Sequence, residues 1–221
     1  MLSFLLLRDL LIHTKIVDVY TAIFPQYVSL IKKELSDCNS ILDVGCGEGS
    51  PASPFRSGTY SVGVELYLPS LIKSKQRRIY SDLVHGDITQ VEFRPNSFDI
   101  VLCSDVVEHL PKKEGLKLIK KMEKIAVKKV IIFTPNGYNP KEHLEDKNIL
   151  QAHKSGWTVE EFTEMNYEVK GALGLKTLRG EREKLRFQPW SLWQIISDLT
   201  QLVTFSYPKY AYHILCIKRL K

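Results

Sequence analysis

Residues 41–49 read Ile41-Leu42-Asp43-Val44-Gly45-Cys46-Gly47-Glu48-Gly49. The apolar Ile41, Leu42 and Val44 predict a short buried strand. Gly45, Gly47 and Gly49 predict a turn whose backbone comes close to a ligand, because glycine combines access to positive φ with the lack of a Cβ. A strand feeding a glycine-rich turn is how α/β sheets build a nucleotide-type site at the carboxyl end of a strand. The spacing here is G-x-G-x-G, not the G-x-G-x-x-G that seats a pyrophosphate on a helix N-terminus. Glu48, inside the loop, would repel a phosphate, so a ligand carrying positive charge is expected instead.

Working outward, apolar strand candidates alternate with helical patterns, which predicts a mostly parallel sheet. The strands fall at Ser40–Val44, 60–66, 83–85, Phe98–Ser104 and 130–134. Residues 112–128 predict a helix, with Leu116, Ile119, Met122 and Ile125 at a helical period and Pro111 suited to its first turn. Its lysines (Lys112, Lys113, Lys117, Lys120, Lys121, Lys124) read as a solvated face rather than a nucleic-acid patch, because the same periodicity explains them. Lys73-Ser74-Lys75-Gln76-Arg77-Arg78 is read the same way. Further on, Thr158 is a candidate N-cap with Glu161 completing a capping box. A sixth strand is expected at 169–173, a helix at 190–202, and a last strand at 212–217 reached by a hairpin-like return. The stretch 180–208 is long for a connector and is expected to carry substrate-specific structure.

The chain has 221 residues, 44% hydrophobic and 25% charged, with a formal charge of +6. These values suit one soluble α/β domain and permit an anionic partner without requiring nucleic acid. Cys38, Cys46, Cys103 and Cys216 form no C-x-x-C pair and read as reduced thiols of a cytoplasmic protein, without disulfides or a zinc site. No metal-binding residues are expected. Residues 1–7 are apolar but lack a basic n-region and are interrupted by Arg8-Asp9, which argues against a secretory signal, and the run is too short to span a bilayer. The apolar pattern to about Ile23 predicts an amphipathic N-terminal helical segment, within 1–38, packed on the domain. Peripheral membrane contact is the alternative.

Three acidic residues keep the rhythm of the strands: Asp43 before the glycine loop, Glu65 ending the second strand, and Asp87 after the third. A carboxylate at the end of the second strand is placed to accept ribose hydroxyls, and one after the third could accept an adenine amine. With these residues in view, the chain resembles the class I, seven-stranded, Rossmann-like S-adenosylmethionine-dependent methyltransferases, in particular their type-11-like domain. The matching pieces are 42–49, Gly63-Val64-Glu65, Gly86-Asp87-Ile88, 97–110 and Val130-Ile131-Ile132-Phe133-Thr134-Pro135-Asn136. The resemblance implies a three-layer α/β sandwich around a mostly parallel seven-stranded sheet with an antiparallel last strand. It implies one domain, with the cofactor-binding core at 40–137 and substrate-side elements at 138–221.

It also implies roles. Gly45, Cys46, Gly47 and Gly49 would pass beneath the methionine part of S-adenosyl-L-methionine, with Asp43 organising the loop. Glu65 and Leu66 would hold the ribose, and Asp87 and Ile88 the adenine. Ser104 and Asp105 would line the region near the sulfonium. One departure is the short, proline-rich 50–58 after the loop, where the family has a regular helix. The implied reaction is in-line attack on the sulfonium methyl, in which the protein mainly supplies alignment and a dry site.

His109 is the first candidate for a general base, because it follows the fourth strand. The bland alternative is that it only shapes the pocket. His143 and His153 are weaker candidates. The Asn/Asp-Pro-Pro-aromatic motif of base-amine methylation is absent, since Ser104-Asp105-Val106-Val107 stands in its place. A small-molecule, lipid-like or glycan acceptor methylated on oxygen or carbon is therefore expected. The alternatives are an RNA- or protein-directed methyltransferase and a non-catalytic nucleoside-binding protein of the same fold. A nicotinamide-dependent reductase fits the loop spacing less well. Trp190, Trp193, Ile195, Ile196 and Leu199 read as core, as a wall of the acceptor pocket or as a dimer interface. The choice between monomer and homodimer stays open.

Overall fold

The computed structural model describes residues 27–50, 53, 55, 57–140, 149–180 and 184–220. The expected N-terminal helix, Pro51, Pro54 and His143 lie outside them. Seven strands form one sheet: β1 (Ser40–Val44), β2 (Tyr60–Glu65), β3 (Asp82–His85), β4 (Phe98–Ser104), β5 (Ala126–Pro135), β6 (Glu168–Leu175) and β7 (Ala211–Arg219). Their order is β3-β2-β1-β4-β5-β7-β6. The pairs from β3 across to β5 are parallel, whereas β7 runs antiparallel to both β5 and β6. The sheet is thus the mostly parallel, seven-stranded, Rossmann-like one expected, with its last strand reversed. The strand order turns back between β1 and β4, and ligands of open α/β sheets lodge at such a switch point, outside the carboxyl ends of the strands.

Apolar clusters cover both faces of the sheet. On one side α3 (Lys112–Ile125) buries Leu118, Ile119, Met122 and Ile125 against β1, β4 and β5. Leu116, expected on that face, is instead exposed, and Leu118 takes the inward place. The helix also ends earlier than the 128 expected. Ala126 is already extended (φ −74°, ψ 143°), so 126–128 belong to β5. Lys128 and Lys129 leave that strand to pair with Asp99, Glu34 and Asp37. On the other side α1 (Tyr27–Glu34) packs Ile31, and Tyr27 stacks on Phe133 with centroids 4.3 Å apart. The capping box at Thr158 and Glu161 opens α4 (Val159–Glu164) as expected.

The last helix, α5 (Trp190–Ser206), has its polarity turned inside out. Ser197, Asp198, Gln201 and Thr204 are buried, while Trp190, Leu192, Ile195, Leu199, Leu202 and Val203 are exposed. The core reading therefore fails for Trp190, Ile195 and Leu199. The cause lies in the sheet. Strand β6 is an edge, and an edge strand presents unpaired N–H and C=O groups. Gln201 answers two of them, accepting from Gly174 N–H (2.8 Å) and donating to Gly171 C=O (2.9 Å). Thr200 Oγ1 accepts from Leu175 N–H. Polar residues face inward because the surface they cover is backbone.

Candidate functional site

The carboxyl ends of β1 to β5 carry two adjoining cavities. The first, about 270 Å³, is walled by Gly45 and Gly47 after β1, by Glu65, Leu66 and Tyr67 after β2, and by Gly86, Asp87 and Ile88 after β3. Asp105, Val106 and His109 close it after β4, with Gln151 and Lys154 above. Gly45, Gly47 and Gly49 all take positive φ, as the turn requires. Gly45 is packed: a Cβ there would stand 2.4 Å from Val106 Cγ2. Gly47 is open: a Cβ would meet nothing within 4 Å. The main chain at Gly47 is therefore the part of the loop that a ligand can approach.

The acidic residues behave differently from one another. Glu65 spans the cavity floor, with Oε2 accepting from Gly47 N–H (2.9 Å) and Oε1 from Tyr67 N–H (2.6 Å). Asp87 accepts from the main-chain N–H and the hydroxyl of Thr89, both at 2.8 Å, which folds the loop after β3. Lys121 of α3 braces that loop from behind by donating to the carbonyls of Ile88 and Thr89. Asp43 lies beneath the glycine loop and outside the cavity wall. It is 2% exposed and accepts from Tyr80 Oη at 2.5 Å, while Tyr80 Oη itself accepts from Ser50 N–H. Burial pushes the Asp43 carboxyl up to about 7, against the lowering effect of the Tyr80 hydrogen bond.

Glu48 corrects the charge argument made from the loop sequence. Its carboxylate pairs with Lys73 (2.7 Å) and Arg77 (3.1 Å) of α2 (Leu68–Arg77), away from the cavity. The acidic character of the site rests on Glu65, Asp87 and Asp105 instead. Cys46, Gly49 and Ser104 support the loops without lining the cavity. The Cys46 sulfur packs where a side chain on Gly63 would be, and Ser104 Oγ donates to Asp105 at 3.2 Å.

The second cavity, about 330 Å³, shares Asp105, His109 and Gln151 with the first and adds Glu108, Asn139, His153, Tyr212 and His213. Asp105 sits at the junction with φ +54°, a conformation that a non-glycine residue holds only when its surroundings impose it. Here Asp105 N–H donates to Phe133 C=O, and His213 Nε2 lies 3.4 Å from Asp105 Oδ1. His213 comes from β7, stacked on Phe133 with centroids 4.8 Å apart. The sequence reading missed it. Its one signal is a lone histidine in an otherwise apolar strand.

Residues 42–133 match the family model of a methyltransferase domain. That stretch therefore resembles a methyltransferase domain, and it lies on the Rossmann-like sheet described above. An uncharacterized protein of Methanocaldococcus jannaschii, MJ0638, is 30% identical over 108 residues, which is 48% of this chain and 46% of that protein. The sterol 24-C-methyltransferase ERG6 of Saccharomyces cerevisiae is 33% identical over 84 residues, 34% of this chain and 22% of that one. The match thus spans less than half the length of these curated relatives. A SAM-dependent methyltransferase from Archaeoglobus fulgidus superposes with a TM-score of 0.56 at 16% identity, covering 92% of this chain and 99% of the other.

The cofactor of such a domain is S-adenosylmethionine, and the residues fit it. The cavity offers an open glycine backbone at Gly47 and carboxylates from three strand ends to a ligand bearing an amine and a sulfonium. Among the described residues no helix is long and apolar enough to cross a membrane.

Proposed function

We propose that this chain transfers the methyl group of S-adenosylmethionine to a small-molecule, lipid-like or glycan acceptor held in the second cavity. The observation that carries the reading is the junction. Asp105 and His109 line both cavities, so a methyl donor in the first and a nucleophile in the second meet there. When bound, S-adenosylmethionine supplies an electrophilic methyl group. The protein's part is to hold the two reactants in line, which can contribute about 7–11 kcal/mol to lowering a barrier.

In this reading the Gly45–Gly47 backbone passes under the methionine part, Glu65 grips the ribose, and Asp87 with the Ile88 main chain holds the adenine. Asp105 favours positive charge at the point of transfer, and His109 stands against the acceptor atom. Its Nδ1–H donates to Ala152 C=O at 3.2 Å. A carbonyl can only accept, so this tautomer leaves the Nε2 lone pair as the basic site. The sterol methyltransferase relatives support a small-molecule acceptor. The polar wall of Asn139, Gln151, His153 and Tyr212 favours one that carries hydroxyl groups. Four buried cysteines outside any disulfide suit a reducing cytoplasm.

Incubating the purified chain with isotope-labelled S-adenosylmethionine and fractionated cell extract should label a small-molecule or glycan fraction. Calorimetry should detect S-adenosylhomocysteine binding at micromolar concentrations. Absence of that heat at millimolar ligand refutes the reading.

A further inference from the structure

Glu108, His109 and His153 bring one carboxylate and two imidazoles together, with ligating atoms that all lie within 4.8 Å of one another. Local structure explains how. Glu108 and His109 follow β4 in a single 3-10 turn, and His153 is delivered by the segment that returns over β5. The two rings meet edge to face with centroids 4.9 Å apart.

Three features distinguish this trio from an accidental cluster. First, both histidines present the same tautomer. His109 Nδ1–H donates to Ala152 C=O and His153 Nδ1–H donates to Asn139 C=O (2.5 Å), which makes Nε2 the unprotonated nitrogen of each neutral ring. Metal-binding histidines are oriented in this way, through a carbonyl or carboxylate on the other ring nitrogen. Second, Glu108 is 2% exposed and its Oε2 accepts from the buried Thr134 hydroxyl at 2.9 Å, so the carboxylate is fixed as well. Third, all three residues line the second cavity, together with Asp105.

We propose that Glu108, His109 and His153 bind a divalent cation of the kind that accepts imidazole and carboxylate together, such as Mn2+, Fe2+, Co2+ or Zn2+. Two imidazoles and one carboxylate on one side of an ion leave its other positions open to ligands from the cavity. This departs from the metal-free site expected from the sequence. It deepens the function proposed above, and rests on it for what the ion does. A hydroxyl oxygen of the acceptor coordinates the ion, and the ion stabilises the alkoxide that forms as the O–H proton leaves to solvent through the cavity mouth. An oxygen lone pair then forms the O–CH3 bond while the S–CH3 bond breaks. Its electron pair stays on sulfur, giving the methyl ether and the neutral thioether. The acceptor class is thereby narrowed from oxygen or carbon to a hydroxyl compound, and the His109 Nε2 lone pair serves as a ligand to the ion in place of the base role given to it above.

The test uses the tag-free full chain after exhaustive dialysis against EDTA. Titration with Co2+ is followed by visible d–d absorption and by calorimetry. One equivalent is expected to bind, with a visible spectrum that Mn2+ or Zn2+ competes away. His153→Asn, whose residue lies outside the first cavity, should lose at least about tenfold in Co2+ affinity, with S-adenosylhomocysteine affinity unchanged. Glu108→Gln, which can keep the Thr134 hydrogen bond, gives the same test should the histidine variant fail to fold. No stoichiometric Co2+ uptake, or uptake equal in both variants, overturns the proposal. Label transfer at full rate in EDTA overturns the ion and leaves the methyltransferase reading standing. Stoichiometric Co2+ uptake without S-adenosylhomocysteine binding upholds the metal site and overturns that reading.

Discussion

Tyr80 Oη donates to Asp43 Oδ2 at 2.5 Å and accepts from Ser50 N–H at 2.9 Å, so one phenol on the strand-β3 side ties the carboxyl end of β1 to the far end of the glycine loop. The buried Asp43 carboxyl is held at about 7, against 3.8 for an ordinary aspartate. Between these values the folded chain keeps a proton that the unfolded chain has lost. The resulting stability is complete below the unfolded value and disappears as pH rises through the folded one. Relative to Asp43→Asn, the wild type should therefore lose stability steadily between about pH 4 and pH 7, by up to a few kcal/mol. Thermal melts of both proteins across that range measure the difference, and parallel profiles contradict it.

The two glycines at the turn should fail in different ways. Gly45→Ala places a methyl group 2.4 Å from Val106 Cγ2 at φ +68°, and should cost about 2–4 kcal/mol of stability. Val106→Ala should recover part of it. Gly47→Ala meets no neighbour in the fold, so its cost is the positive φ alone, about 1 kcal/mol. Its methyl group instead enters the cofactor cavity, and S-adenosylhomocysteine affinity should fall at least tenfold by calorimetry, while Gly45→Ala is read by its melting temperature.

Glu65 satisfies two main-chain donors, so Glu65→Ala removes a cofactor contact and also frees Gly47 N–H and Tyr67 N–H. A loss of about 1–3 kcal/mol in binding is expected, with a drop in melting temperature smaller than that of Gly45→Ala. Equal ligand affinity in wild type and variant would remove Glu65 from the ribose site.

Lys121 offers a test at a distance from the ligand. Lys121→Met keeps the packed stem and removes the ammonium that holds the Ile88 and Thr89 carbonyls. Binding of adenine-bearing ligands should weaken by about 1 kcal/mol, some fivefold. Binding indistinguishable from wild type would show that the loop after β3 stands without this brace.

Much of this architecture was legible in the chain because its parts are local. The run Ile41-Leu42-Asp43-Val44 and the glycines after it place β1 and its turn without help from distant residues. Glu65 and Asp87 follow from the same strand-end logic. Helix α3 was legible as a period but not as a boundary, because Ile125 ends it and Ala126 begins β5 with no glycine or proline between them.

What escaped was set by partners remote in sequence. Glu48 looked like a charge facing the ligand until α2 brought Lys73 and Arg77 to it. His153 and His213 acquire meaning only where the chain returns over β5 and where β7 lies against Pro135. In α5 the apolar stripe pointed to a core face, and no local rule says that an exposed sheet edge can outbid it for the inward side.

That inverted helix also fixes where the molecule should come apart first. Hydrogen bonds such as that from Gln201 to Gly171 C=O and that from Gly174 N–H to Gln201 can be replaced by water at a net loss of about 1 kcal/mol each. The aliphatic interior between β1, β4 and α3 has no such substitute in solvent. Amide protons of the β6 rim and α5 should accordingly trade with deuterium well before those of the central strands, so that the edge frays while the methyl-donor cradle stays shut.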